Sequence, residues 1–439
     1  MIEREAKREA KRVGRDNIIS ELPVHIIHHI LCRTNLDVKE AARTCILSKR
    51  WYYCWTSRPN LIFYQLQNYN TNSNMTLEKY VKLVDQSLRS HVEQNLHLEQ
   101  FILKYRDPKL DSHLDTWIEL VVKLNATVLG IYPSLLSSCS LPNVIYAAKN
   151  LTTLWLSRCK FEFDISTTCI RFCCLEDVCF NNVHISDAQF KRVINRCPSI
   201  RNLRLLHCKG ISKLHVFGLV HLQDLTARYN KFDSVIVQAP NLQCFKYAQL
   251  TDHPCEIAIL DGYNTLQTLK LTGANITDQH FRDVSYKFPN ISELNLTSCY
   301  NLKNIEIQSE KLKDITIWEL KTKSLEEVTI KAPKLLKFDF YGDKMPFSSM
   351  DPSSLETARL TFFLPRTNFG SVDSISWYTN LHHFVQKFNY SKGLMLLIFC
   401  QKVLSILFVL MSFLYTLLVE FGLSYFIDEI LADEQHPYL

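Results

Sequence analysis

Three nine-residue segments share one template: Leu151-Thr152-Thr153-Leu154-Trp155-Leu156-Ser157-Arg158-Cys159, Ile200 to Cys208, and Ile291 to Cys299. Each reads L-x-x-L-x-L-x-x-C, with Ile replacing the first Leu in the last two. The central alternation sets a short strand with apolar residues on one face and variable residues on the other, and the closing Cys turns the chain. A single copy cannot bury its apolar face, so the pattern forces copies to stack with their strands parallel. A longer echo supports this: Ile185–Phe190 and Ile276–Phe281 lie 91 residues apart, as do Ile200 and Ile291, and Cys208 and Cys299. Ser186 and Thr277 are expected to cap short helices that Cys197-Pro198 and Phe288-Pro289 then stop.

The template resembles the leucine-rich repeat, which implies an α/β solenoid with parallel strands on its concave face and short helices and loops on the convex one. Weaker copies start at Leu175, Leu222, Leu242, Leu266, Leu312, Leu325, Leu335 and Leu355. Most starts from Leu151 to Leu312 are 20 to 25 residues apart, whereas the next two intervals are 13 and 10. The late turns are therefore expected to be short and nearly helix-free. Upstream, Leu98, Phe101 and Leu103 fit a first strand, and Leu114, Trp117, Ile118, Val121, Val122 and Leu124 give the helix after it an apolar face, so the array is expected to start near residue 96. The outward positions between the inward leucines include Trp155, Arg204, Arg228, Lys246, Lys270, Asn295, Trp318 and Asp339. This set, with two exposed indoles, is expected to form a recognition surface for a protein, because Trp and Arg anchor protein interfaces.

Ahead of the array, residues 16–61 read as a compact helical block. Leu22-Pro23 opens a helix, with Ser20 nearby as a cap, and Ile26, Ile27, Ile30 and Leu31 form one apolar stripe. Asp37 is expected to cap a second helix whose Ala41, Ala42, Cys45 and Ile46 admit another helix closely, and Ser48 starts a third segment carrying Trp51, Tyr52 and Trp55. A block of this size cannot cover so much apolar surface alone. The run Ala41 to Trp51, with Leu22-Pro23 before it, resembles plant members of the F-box family, although Thr34-Asn35-Leu36 stands where relatives commonly carry Leu-Pro. The resemblance implies that Leu22, Pro23, Ile26, Ile27, Ile30, Leu31, Leu47, Ser48 and Trp51 contact or support the Skp-type adaptor of a cullin-based ubiquitin ligase. The chain is then expected to hold a target protein on its repeats. The alternative is a scaffold that uses the block for assembly without ubiquitin transfer.

Composition narrows the other classes. Ten glycines in 439 residues leave little material for phosphate-cradling loops, and neither a Walker loop nor a dinucleotide fingerprint occurs. A net charge of +6 is small for this length and carries no nucleic-acid footprint. No nucleophile elbow or zinc-protease pair appears, so the chain is expected to be no enzyme and to need no cofactor. Fifteen cysteines without a secretory lead are expected to be thiols in a reducing compartment, cytoplasmic or nuclear. Cys169, Cys173, Cys174 and Cys179 fit no zinc-knuckle spacing, and His25, His28 and His29 lack an acidic or sulfur co-ligand in sequence. No metal site is expected.

The resulting layout is a basic lead over residues 1–15, the F-box block over 16–64, a linker helix region over 65–95, the solenoid over 96–365, a capping region over 366–402, an apolar segment over 403–427, and a tail over 428–439. Lys7, Arg8, Lys11 and Arg12 make the lead a solvated basic stripe, and Phe388 to Leu394 again resembles the ends of plant F-box and repeat proteins. Between Lys402 and Glu420 run 17 uncharged residues. At 1.5 Å per residue they span about 25 Å, short for a membrane crossing of roughly 30 Å. A helix packed on the last repeats, or a non-native terminus, is the expected reading, with a membrane anchor as the lesser one.

Overall fold

The computed structural model describes residues 22–33, 43–65, 76–134, 138–249, 255–259, 264–279, 282, 288–299, 301–318, 325–342, 354–364, 379, 381, 383 and 393–400. The basic lead, the expected cap at Asp37 and the apolar segment 403–427 lie outside the described residues. The chain forms two compact units, Met1–Ile211 with Gly218–His221, and Ser212–Phe217 with Leu222–Leu439. The fold is a leucine-rich-repeat solenoid preceded by a helical region.

The first unit begins with helices α1 (Val24–Arg33) and α2 (Lys49–Thr56), with a 3-10 turn at Thr44–Ile46 between them. Its parallel sheet follows: β1 (Asn60–Tyr64), β2 (Gln100–Lys104), β3 (Val128–Tyr132), β5 (Thr153–Ser157), β7 (Asp177–Asn181) and β8 (Asn202–Leu206), while the short β4 (Cys139–Ser140) and β6 (Cys159–Lys160) pair apart from it. The sheet starts at Asn60, one strand before the segment around Leu98 that the repeat pattern picked out. Helices α3 (Leu77–Glu93), α4 (Leu114–Lys123) and α5 (Asp187–Ile194) lie between strands of this sheet in sequence. Ser186 caps α5 through a capping box with Gln189, which satisfies amides that the first helical turn leaves without partners. Successive strands align without slip, so each inward pair repeats: Leu61 and Phe63, Phe101 and Leu103, Leu129 and Ile131, Leu154 and Leu156, Val178 and Phe180, Leu203 and Leu205 are all buried.

In the second unit β10 (Asp224–Arg228), β12 (Cys244–Ala248), β14 (Thr268–Thr272), β15 (Glu293–Thr297), β17 (Asp314–Trp318), β19 (Lys337–Gly342), β20 (Thr357–Leu364) and β21 (Gly393–Cys400) pair in parallel in that order. Separate parallel sheets hold β9 (Lys213–Val216), β11 (Ser234–Val237) and β13 (Glu256–Ile259), and β16 (Asn304–Gln308) with β18 (Glu327–Lys331). The irregular late spacing follows from this. Leu325 precedes β18, which belongs to the smaller sheet, so Leu312 to Leu335 is one ordinary repeat of 23 residues (13 plus 10).

Strand ends share a device. Arg158, Asn182 and His207 in the first unit, and Tyr229, Gly273 and Ser298 in the second, each follow a strand's last residue with φ between 47° and 65°. The left-handed residue breaks the strand yet keeps its amide on the ladder: Asn182 N–H donates to Leu206 O at 2.8 Å and Gly273 N–H to Thr297 O at 2.8 Å. The template cysteines sit just behind these turns. Cys208 and Cys299 are buried and donate to the carbonyls of Phe180 and Leu271, and burial pushes both thiols up to about 12. They are turn-fillers, inert as nucleophiles.

Candidate functional site

The helical block splits its apolar residues between two environments. Ile27, Leu31, Trp51 and Cys54 form a buried cluster, with Leu22, Ile30 and Trp55 packed against it. Ser48 caps α2 by accepting from Trp51 N–H at 3.3 Å, which fixes where the Trp51 side chain enters the cluster. The opposite set faces solvent: Pro23, Val24 and Ile26 on the α1 side, Ile46 (87% exposed), Leu47 (53%), Tyr52 and Tyr53 on the α2 side. Of the nine residues taken from sequence, Ile27, Leu31 and Trp51 are therefore internal, Leu22, Ile30 and Ser48 are half-buried, and Pro23, Ile26 and Leu47 are exposed. Ile46, expected to pack beneath a neighbouring helix, is instead the most exposed of the large apolar side chains, because Thr44–Ile46 is a 3-10 turn that points it outward. Val24 and Tyr53 were missed by sequence reasoning.

The block's end is held to the following helix. Arg58 is buried, stacks on Trp55 at 3.6 Å and donates to Trp55 O, and its own carbonyl meets His91 Nε2 at 2.9 Å, while His91 Nδ1 lies 2.8 Å from Ser87 O. His28 is half-buried, and burial lowers its pKa, opposed by the Cys54 carbonyl, whereas His25 and His29 are exposed. The three histidines do not share one environment.

On the solenoid, residue three of each strand projects outward. In the first unit this row includes Trp155, Cys179 and Arg204 in register, and in the second Lys246, Lys270, Asn295 and Asp339. Arg228 and Trp318 stand two residues further along their strands. All eight residues are outward, but most are committed to neighbours. Arg204 Nη2 donates to both carboxylate oxygens of Asp177, at 2.8 and 2.9 Å, and Trp155 donates its indole N–H to the same carboxylate at 3.2 Å. Trp155 is accordingly half-buried, not an exposed indole, and Tyr132 lies over the side-chain-free Gly130 beside it, its hydroxyl pushed up to about 12 by burial. Lys246 lies 3.9 Å from Asp224, Lys270 2.5 Å from Glu293, and Asp339 4.0 Å from Arg359. Trp318 is exposed, its ring 5.7 Å from that of Tyr341.

Asp314 belongs to this carboxylate-rich edge. Burial pushes its carboxyl above the usual range, Glu293 and Asp339 add to the shift, and Lys337 and Lys270 oppose it. A raised folded-state pKa means that folding is penalised once pH exceeds that value and unpenalised below the unfolded value of about 3.9. Asp314→Asn should therefore raise the melting temperature at pH 7 and lose the gain near pH 4. The effect should stay below about 1 kcal/mol, since the group is partly exposed and screened.

Cys169, Cys173 and Cys174 are exposed and Cys179 lies on β7, and among the described residues no group of three or more His, Cys, Asp or Glu is arranged to hold a metal ion.

Residues 114–261 match the family model for the leucine-rich repeats of the FBD-associated F-box protein At5g56370, and residues 253–417 match that for the repeat domain of At1g61320/AtMIF1. The F-box/LRR-repeat protein At5g02910 of Arabidopsis thaliana is 22% identical over 368 residues, covering 79% of this chain and 75% of its own. These matches support a plant F-box/leucine-rich-repeat family for the chain. Other Arabidopsis relatives agree: the putative FBD-associated F-box protein At5g22720 is 27% identical over 54% of this chain, and F-box/LRR-repeat protein At3g03360 is 22% identical over 72% of it. The chain spans 52% of the former's length and 64% of the latter's.

Proposed function

We propose that this chain is the substrate-recognition subunit of a Skp-cullin-F-box ubiquitin ligase, docking the adaptor through α1 and α2 and holding a target protein on the solenoid. The observation that carries it is the division within the helical block. Ile27, Leu31 and Trp51 supply a core that makes the block rigid, and six large apolar side chains from Val24 to Tyr53 remain in water. Half of the twelve large apolar residues exposed among the described residues fall in this short stretch. Concentrated exposed apolar surface marks an interface, and the family name supplies the partner's class. The chain's contribution is proximity: it raises the local concentration of target beside a transferring enzyme, and no side chain here has to react.

The test is co-elution of the full chain with a recombinant Skp-type adaptor in size-exclusion chromatography at micromolar concentration. A complex of one chain with one adaptor is expected. A folded chain eluting alone would leave the scaffold reading in its place.

A further inference from the structure

A groove of about 700 Å³ runs along the edge where the strands of the second unit begin. It is lined by residues one to four positions before β12, β14, β15, β17 and β19, so each of these repeats contributes a side chain to the edge. Gln243 and Gln267 line one end, and among the described residues neither side-chain amide has a hydrogen-bond partner. In the middle, Asn290 donates to the Asn264 carbonyl and accepts from Lys311 Nζ, which holds both. Lys313 and Lys334 line the other end with Glu310. The outward-row cations nearby are already neutralised, with Lys246, Lys270 and Arg359 each within 4.0 Å of a carboxylate. Lys313 and Lys334 have no such partner among the described residues. The groove's far end therefore carries positive charge that no ion pair offsets among the described residues.

We propose that the groove docks an extended acidic segment of another protein. Charge complementarity selects an anion, since three lysines face one glutamate. The exposed carboxamides of Gln243 and Gln267 each offer an acceptor and a donor, which match the N–H and C=O groups of an extended peptide backbone. Among the described residues no aromatic side chain lines the groove to stack a base. Five strand origins spaced by about 4.8 Å cover roughly 19 Å, the length of about six extended residues. Carboxylates at one end of such a segment meet Lys313 and Lys334, and its backbone meets Gln243 and Gln267 at the other. The site requires only an acidic protein segment and stands whether or not the chain is coupled to ubiquitin transfer.

The probe is a fluorescein-labelled hexaglutamate peptide titrated with the full chain and followed by fluorescence anisotropy. Binding that weakens with added salt is expected. The double variant Lys313→Gln with Lys334→Gln should bind at least about tenfold more weakly, since two partly exposed ion pairs are removed. Lys231→Gln, an exposed lysine outside the groove, should bind as wild type. Adaptor co-elution should persist in the double variant, which separates this site from the docking helices. The proposal is overturned if hexaglutamate fails to bind, if the double variant binds it undiminished, or if a hexathymidylate binds more tightly and displaces it.

Discussion

Gly273→Ala should destabilise the second unit by about 2 to 4 kcal/mol. Gly273 closes β14 with φ of 65°, and a Cβ built there would lie 1.9 Å from Gln249 O. Gln249 is buried, and its own amide donates to Thr272 O, so the carbonyl has no free direction in which to retreat. The left-handed conformation alone costs roughly 1 kcal/mol for alanine. The larger part is displacement of one backbone segment from another, the same cost that overpacked cores incur. Ser298 separates these terms, because it occupies the equivalent position after β15 with φ of 47° and a side chain already in place. Ser298→Gly should change stability by less than about 1 kcal/mol. Urea unfolding combined with hydrogen exchange over β12, β14 and β15 reads the difference. Equal effects at the two positions would show that conformation, not the close approach, governs Gly273.

The repeat was legible because its signal is local. Alternation with a period of two places Leu154 and Leu156, or Leu294 and Leu296, inward whatever the rest of the chain does, and stacking follows from the inability of one copy to bury them. The same locality explains the false start at Leu325. Both the main sheet and the small sheet of β16 and β18 bury alternate apolar residues, Val328 and Ile330 in the latter case, so the sequence pattern is common to both. Only tertiary pairing assigns a strand to one or the other. Outward positions were equally legible, but their partners were not. That Asp177 meets both Trp155 and Arg204 depends on the register between β5, β7 and β8, which no single strand encodes.

Helices α1 and α2 show where a helical pattern runs out of information. Ile26 and Ile27 are adjacent on one apolar stripe, yet Ile27 is fully buried and Ile26 is 37% exposed. The hydrophobic stripe of a helix ten residues long is wide enough to serve two surfaces, and the choice between them is made by what packs from outside. Here Trp51 and Cys54 of α2 select Ile27 and Leu31. The apolar stripe of this block was therefore legible from its pattern, while the division into buried and exposed sides required the second helix in place.

That division predicts two variants with opposite causes for one loss. Trp51→Ala removes a side chain that is 3% exposed and central to the cluster with Ile27, Leu31 and Cys54, and should cost about 3 to 5 kcal/mol locally. In so small a block this exceeds what the remaining apolar contacts supply, so α1 and α2 should lose hydrogen-exchange protection and adaptor binding together. Leu47→Asp combined with Ile26→Asp changes side chains that lie in water in the free chain, so stability should move by less than about 1 kcal/mol in total. Each places a carboxylate where the proposed adaptor would bury it unpaired, and affinity should fall at least about thirtyfold. Titration calorimetry against a recombinant Skp-type adaptor, beside exchange measured over residues 49–56, reads both quantities. If the double aspartate variant bound with undiminished affinity while Trp51→Ala did not, the block would be acting only as a folded unit, and the adaptor would have to grip a face other than the one these two residues occupy.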